Sequence, residues 1–328
     1  MKNKSNVSAP SRSALVTGAT GFIGSWLVKE LLKEGYSVKV YSRLPYSGGF
    51  SEAIELDSWI EGELHDRQKL VSACDGVDIV FHLAGLSNAI KSGRAEIFKV
   101  NLQGTINLYS ACESAGVKRL IYFSSILASL PEDSIYAESK WAAEQYLLAA
   151  YKQKCKPQII ILRPANVYGP KMQGNLRRFI ALASKGFLPA LPRLDNSIAL
   201  VSVKDLCVAA IMAAEEEFPR DSVNLFTVTD GERYTPNRIE DAVYKSIGHK
   251  QPSWRVPKLL LLIGATFASL LNFTGIRSNQ LGLRLFRNLI GARKAGCEES
   301  IAPFQFEPTA TLESEMDRII KSLKADKP

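Results

Sequence analysis

Histidine is scarce in this 328-residue chain. The three present, His65, His82 and His249, stand far apart and never at the four-residue spacing that puts two ligands on one helix face, so no metal site is expected. Cysteine is sparse as well: Cys74, Cys112, Cys155, Cys207 and Cys297 include no Cys-x-x-Cys pair. That removes a zinc ribbon and a disulfide framework, and fits a reducing, cytoplasmic setting. Residues 1–12 are polar and hold no apolar stretch of signal-peptide length, so they read as a flexible tail.

Long apolar runs are missing too. The most apolar segment, Leu259 to Phe273, is interrupted by Gly264, Thr266, Ser269 and Asn272 and falls short of the roughly 20 residues that cross a bilayer. It reads as a buried helix, with an interfacial membrane helix as the alternative, and no stable membrane insertion is expected. Nor does one sign of charge form a long run. The net charge of +8 arises from basic residues scattered among acidic ones, a balance that suits an anionic small ligand rather than nucleic acid. The densest basic stretch, Arg277, Arg284, Arg287, Arg293 and Lys294, reads as a solvated helix face.

What the chain does have is a large apolar content, 46%, enough for one large α/β domain and a smaller appended one. Thr17-Gly18-Ala19-Thr20-Gly21-Phe22-Ile23-Gly24 follows the strand-like Ala14-Leu15-Val16. It precedes Trp26, Leu27, Leu31 and Leu32 at helical spacing, ended by Gly35. Glycines at such a strand-to-helix turn let the backbone approach a pyrophosphate, which the unpaired N–H groups and helix dipole favour. The segment therefore points to a dinucleotide.

Apolar runs continue at 38–41, 79–83, 120–124 and 159–162 with helical patterns between them, among them a strong helix from Tyr136 to Tyr151. Such alternation predicts a parallel sheet covered on both faces. Beyond Pro170 proline and glycine become frequent. Helices are predicted at 175–184 and 203–216 around a short strand near 199–201, a further strand at 223–228, and a helix starting at Thr235-Pro236.

Tyr136-Ala137-Glu138-Ser139-Lys140 sets a phenol and an ammonium one turn apart on one helix face. A free tyrosine titrates near pH ~10, so it acts as a base at neutral pH only where positive charge favours the phenolate. Lys140, with an oxidised nicotinamide, is expected to supply that charge. Ser125, with Ser124 as its rival, follows the strand at 120–124 and is placed to hydrogen-bond a reacting oxygen.

With these pieces in order, the chain resembles the extended short-chain dehydrogenase/reductase family, which includes NAD(P)-dependent sugar-nucleotide epimerases and dehydratases. The resemblance runs from about Ser13 to the C-terminal region. It rests on Thr17 to Gly24, Phe81-His82-Leu83-Ala84-Gly85, Asn101-Leu102-Gln103-Gly104-Thr105, Tyr122-Phe123-Ser124-Ser125, Tyr136 to Lys140 and Leu162 to Pro170. Val228-Thr229-Asp230-Gly231-Glu232, Thr235-Pro236 and Val256-Pro257 look most like bacterial sugar-nucleotide 4-epimerases and 4-dehydrogenase/reductases. The resemblance implies an α/β fold: a Rossmann-type doubly wound sheet over 13–168, with returning segments about 196–230. A smaller, mainly helical substrate lobe would comprise 169–195 and 231–328.

It also implies roles, position by position. Tyr136 is the acid or base, Ser125 holds the substrate oxygen, and Lys140 holds the nicotinamide ribose. Gly18, Thr20, Gly21, Phe22, Ile23, Gly24, Leu83, Ala84, Gly85, Asn101, Pro164, Ala165 and Val167 surround the cofactor. Glu63 and Leu64 occupy an adenine position. Asn166, Asn175 and Leu176 match positions that touch a substrate diphosphate. Two departures stand out. Only about ten residues separate Ser125 from Tyr136 where relatives carry a longer loop, and Ile198 replaces an arginine that relatives place on the phosphates. Arg177, Arg178 and Arg193 are the nearest substitutes, Arg193 being the one assigned to substrate.

Ser42-Arg43 after the second strand, where an acidic residue would select NAD, favours NADP over NAD. The leading expectation is thus an NAD(P)-dependent enzyme oxidising a ring hydroxyl, at carbon 4, of a nucleotide-linked hexose. The alternatives are a hydroxysteroid- or flavonoid-type NADP-dependent reductase of the same family, and a non-catalytic dinucleotide-sensing protein. A homodimer seam along 99–115 and 136–151 is implied by the resemblance alone.

Overall fold

The computed structural model describes residues 12–45, 58–87, 93–154, 156–186, 190–219, 224–250, 255–257, 260, 263 and 306–325. The basic stretch 277–294 lies outside the described residues, as does the apolar segment 259–273 apart from Leu260 and Ile263, which are exposed.

The alternating runs become β1 (Ser13–Thr17), α1 (Phe22–Lys33), β2 (Ser37–Ser42), β3 (Ser58–Glu61), α2 (Arg67–Cys74), β4 (Ile79–His82), α3 (Arg94–Phe98), α4 (Gly104–Ala115), β5 (Arg119–Phe123), α5 (Ile135–Lys154) and β6 (Gln158–Pro164). Then follow β7 (Asn166–Tyr168), α6 (Asn175–Ser184), β8 (Leu200–Ser202), α7 (Val203–Glu215), β9 (Asn224–Val228), α8 (Pro236–Ser246) and α9 (Leu312–Ala325). Seven strands form one parallel sheet in the order β3-β2-β1-β4-β5-β6-β9. The order reverses between β1 and β4, which is the topological switch of a doubly wound Rossmann-type sheet and the place where such sheets bind ligands.

The strands are apolar because both faces are covered. Leu15, Val80, Leu120, Ile159 and Ile161 pack with Leu70 and Cys74 of α2, Leu108 and Cys112 of α4, and Ala143 and Leu147 of α5. The right-handed crossover from β1 to β2 puts α1 on the opposite face, where Leu27, Val28 and Leu31 are fully buried. Each leucine or isoleucine so buried contributes roughly 1.5–3 kcal/mol.

The chain divides into two compact units. The first holds the sheet, with Met1–Pro164 and Leu206–Val228 among its segments; the second takes in Ala165–Asp205 and Thr229–Glu299 and the C-terminal stretch from Glu307. Within the second, β7 and β8 pair in parallel, and Ile198 bridges Tyr234 through backbone hydrogen bonds of 2.7 and 3.2 Å. Helix α8 starts where Thr235-Pro236 predicts: the Thr235 hydroxyl accepts from Arg238 N at 3.1 Å.

Candidate active site

The glycine turn opens directly onto α1. Gly21 is its N-cap and no side chain caps the first turn, while Thr20 and Gly21 are exposed. Free helix amides thus face outward at the switch point, a cradle that fits a pyrophosphate. The glycines are also demanded by packing. Gly18 has φ +74°, and a Cβ there would lie 2.6 Å from Ala84 N; one at Gly24 would lie 2.2 Å from Gly18 O. The turn is therefore seated against the segment after β4 and against its own helix. Phe22 and Ile23 are half-buried, as are Leu83 and Ala84, and Gly85 is exposed.

Beneath this turn His82 is fully buried between the hydroxyls of Thr17 (2.7 Å) and Thr105 (3.0 Å). Burial, aided by the Lys140 charge, pushes its pKa down to about 3, so the ring is neutral. It is a structural bridge from β4 to β1 and α4.

Asn101 lies in a wide helical turn, Lys99–Gln103, inserted between α3 and α4. Such π-type turns cluster at functional sites. Its amide accepts from Leu86 N (2.7 Å) and donates to Leu86 O (3.0 Å) and to the Ser139 hydroxyl (2.9 Å). Asn101 so fixes the strand-end segment against α5. A Cβ on Gly85 would come within 3.1 Å of Asn101 Oδ1 and 3.5 Å of Lys140 Nζ, so the missing side chain leaves space beside the lysine.

The short stretch from Ser125 to Tyr136 is filled by two tight 3₁₀ turns, Ile126–Ser129 and Pro131–Asp133. Ser125 caps the first, accepting from Leu127 N at 3.2 Å, and the Ser134 hydroxyl caps α5 by accepting from Ala137 N at 3.1 Å. Tyr136, one residue into α5, is half-buried. Burial raises its pKa, and the nearby Ser125 hydroxyl opposes that rise. Ser124, the rival, is buried with its hydroxyl unpartnered.

Lys140 is almost wholly buried. Its ammonium donates to Phe123 O at 2.8 Å and sits 4.7 Å from the centre of the Tyr122 ring. Burial lowers its pKa to about 8 against the opposing pull of Glu144. Glu144, one turn further along α5, is fully buried and gripped by Arg163 through bonds of 2.9 and 2.5 Å. Sequence reading passed over this pair, although a glutamate continuing the Tyr136, Lys140 spacing is a legible sign of a charge on the buried face.

The adenine candidates lie past β3. Glu63 pairs its exposed carboxylate with His65 Nδ1 at 2.9 Å and its carbonyl accepts from Tyr41 Oη at 2.9 Å. Leu64 packs so closely on Gly104 that a Cβ there would meet Leu64 Cδ1 at 2.7 Å. Arg43 is exposed just beyond β2, after the buried Ser42. Pro164 ends β6, buried. In the second unit Ala165 is buried, Val167 and Leu176 are half-buried, and Asn166, Asn175 and Arg193 are exposed.

A doubly wound sheet with an amide-lined glycine turn at its switch point defines a dinucleotide-binding type of fold, with the buried Lys140 and the half-buried Tyr136 on one helix beside it. Comparison with known proteins narrows this. The model of the "NAD dependent epimerase/dehydratase family" matches residues 14–225, and the chain belongs to that family. It is 30% identical to the UDP-glucose 4-epimerase of Vibrio cholerae over 268 residues, 75% of this chain and 78% of that protein. It is 28% identical to a 3 beta-hydroxysteroid dehydrogenase/Delta 5-->4-isomerase of Mycobacterium tuberculosis over 271 residues, 74% of this chain and 71% of that one. Among solved structures, the UDP-glucose 4-epimerase of Thermotoga maritima with UDP-glucose shares the fold at a TM-score of 0.68 and 22% identity, covering 95% of this chain and 99% of that one.

Among the described residues no group of His, Cys, Asp and Glu could hold a metal ion, and no helix is long and apolar enough to cross a membrane.

Proposed function

We propose that this chain is an NAD(P)-dependent oxidoreductase or epimerase of a nucleotide-linked sugar, a UDP-hexose or UDP-N-acetylhexosamine, acting by hydride transfer at a ring hydroxyl, carbon 4. The observation that carries the reading is the buried Lys140, one turn along α5 from Tyr136, which donates to Phe123 O at 2.8 Å at the end of β5, two residues before Ser125, and borders the space at Gly85. The similarity to the Vibrio cholerae UDP-glucose 4-epimerase across three quarters of the chain supports the substrate class.

A bound nicotinamide dinucleotide supplies the hydride acceptor and, when oxidised, a positive charge. Every other task falls to the chain. The amides opening α1 hold the pyrophosphate and Lys140 holds the nicotinamide ribose. Tyr136 Oη takes the hydroxyl proton of the sugar or returns it, while Ser125 hydrogen-bonds the same oxygen as it becomes a carbonyl. Because burial favours the protonated phenol, Tyr136 is poised as the acid; as base it needs the positive charge brought by the oxidised ring. Asn166, Asn175, Leu176 and Arg193 take the nucleotide diphosphate, Glu63 and Leu64 the adenine, and Arg43 the 2′-phosphate that distinguishes NADP. A homodimer seam along 99–115 and 136–151 belongs to the same reading.

Incubating the purified protein with NAD or NADP and UDP-glucose or UDP-N-acetylglucosamine, with products followed by NMR, tests it. Turnover is expected, and Tyr136→Phe should lower it roughly a hundredfold or more while cofactor binding persists. A second reading, a hydroxysteroid- or flavonoid-type NADP-dependent reductase, is favoured by Arg43 and by the Mycobacterium relative; turnover of a steroid but no UDP-sugar would select it. Cofactor binding without hydride exchange on either class would leave a dinucleotide sensor.

A further inference from the structure

Residues 190–194 have no regular secondary structure, yet Ala190, Leu191, Pro192 and Leu194 are buried, with Arg193 alone among them exposed. Their backbone is held by side chains and by one neighbouring strand of chain. Asn237, in the first turn of α8, accepts from Leu194 N at 2.8 Å and donates to Pro192 O at 3.0 Å. One amide group therefore brackets Arg193 on both sides. One turn along α8, Glu240 Oε1 accepts from Leu191 N at 3.1 Å, Arg255 donates to Leu191 O at 2.9 Å, and Val256 N donates to Ala190 O at 3.0 Å.

This is an expensive arrangement for a loop. Glu240 is 2% exposed, its second oxygen has no hydrogen-bond partner, and the nearest cation, Arg255 Nη1, is 3.7 Å from it. Burying a carboxylate with one oxygen unsatisfied costs stability, and a loop whose only duty was to connect α6 to β8 would gain nothing from it. The result is a rigid base under one exposed guanidinium, and guanidinium is the side chain suited to bidentate recognition of phosphate.

We infer that Asn237 and Glu240 are positioning residues: they fix the backbone at 190–194 so that Arg193 is presented in one geometry to the diphosphate of the nucleotide substrate. This rests on the nucleotide-sugar reading above. It also accounts for Ile198, where the resemblance leads one to expect a phosphate-binding arginine: the charge has moved to a neighbouring segment with its own scaffold.

UDP is the probe, titrated calorimetrically against the full-length protein. Arg193→Ala, Asn237→Ala and Glu240→Ala should each weaken UDP binding by about tenfold, the scale of one lost hydrogen bond to a charged group. Glu240→Gln, which keeps an acceptor for Leu191 N, should retain more affinity than Glu240→Ala. Combining Asn237→Ala with Arg193→Ala should add little to either alone, because both remove the same contact. With UDP-glucose as substrate, KM should rise more than kcat falls. Amide hydrogen exchange should show Leu191 and Leu194 opening faster in Glu240→Ala and Asn237→Ala, and an unchanged NADH affinity verifies that each variant is folded. If wild type binds UDP and Arg193→Ala loses it while Asn237→Ala and Glu240→Ala bind normally, the positioning role is overturned and the nucleotide-sugar reading stands. If exchange accelerates but UDP affinity does not change, the bracket is structural and the inference is again overturned. If wild type does not bind UDP at all, the functional reading fails and this inference falls with it.

Discussion

Lys140 donates its ammonium to Phe123 O at 2.8 Å, which ties the helix carrying Tyr136 to the last residue of β5, two positions before Ser125. The lysine holds in register the two elements that deliver the phenol and the serine, and it does so as a buried cation over the Tyr122 ring.

That burial has a thermodynamic sign. The folded-state pKa of Lys140 is depressed to about 8 by burial, with Glu144 opposing, against about 10.4 in an unfolded chain. Below pH 8 both states are protonated and the folded state carries the full desolvation penalty. Between about 8 and 10.4 the unfolded chain binds the extra proton and the penalty fades, so stability rises with pH. Lys140→Met should therefore unfold at a higher temperature than wild type at pH 7, by an amount on the order of 2–3 kcal/mol, and the gap should narrow at pH 10. Thermal melts at the two pH values check this; a variant less stable than wild type at pH 7 would contradict it.

Glu144 and Arg163 carry a different kind of risk. The pair is bidentate, with the glutamate fully buried and the arginine side chain 18% exposed, and it fastens α5 to the strand that ends in Pro164. Removing one partner leaves an uncompensated buried charge, so Glu144→Gln should destabilise by about 3 kcal/mol or more. Replacing both, as Glu144→Leu with Arg163→Met, should recover much of that loss. Urea unfolding of the single and double variants measures the coupling; equal losses in both would show that the pair contributes through shape and not charge.

The sheet and its switch point were legible because buried parallel strands are near-continuous apolar runs and α6, over 175–184, has clear helical spacing. Other pieces were not. Ser58–Glu61 is a four-residue edge strand with Trp59 and Ile60 as its whole apolar signal, and β7 is three residues whose pairing with β8 depends on chain some thirty positions away. The wide turn at Lys99–Gln103 leaves no mark in the pattern of apolar residues, and the contacts that Asn101 makes from it, to Leu86 and Ser139, are tertiary. The candidate site was legible as residue types in order: Gly18 to Gly24, Ser125, Tyr136 and Lys140. What spacing could not reveal was which groups the side chains face, so Lys140 turned out to engage Phe123 O, and the Asn237 amide to hold Leu194 N and Pro192 O.

Arg43 tests cofactor choice. It is exposed immediately after β2, where a carboxylate would favour the ribose of NAD. Arg43→Ala should weaken NADPH binding by roughly tenfold, the worth of one charge-assisted contact to phosphate, and leave NADH affinity nearly unchanged. Fluorescence titration of both cofactors decides the matter, and tighter NADH than NADPH binding by wild type would remove the proposed role.

Gly24 and Gly93 make a matched pair for the glycine turn. A Cβ at Gly24 would stand 2.2 Å from Gly18 O and 2.8 Å from Ala19 Cα, both backbone atoms that cannot swing aside, whereas one at Gly93 meets nothing within 4 Å. Gly93 also caps α3 at φ −65°, which alanine adopts freely. Gly24→Ala should therefore displace the turn from the start of α1, costing about 1–3 kcal/mol in stability, the usual range for overpacking, and at least about tenfold in NADPH affinity, because the amides that would hold the pyrophosphate move with it. Gly93→Ala gives up a favoured N-cap residue but restricts the unfolded chain, so it should change stability by less than about 1 kcal/mol and leave cofactor affinity alone. Equal cofactor affinity in the two variants, with only Gly24→Ala destabilised, would mean that the glycines of this turn serve packing and that the dinucleotide is held elsewhere.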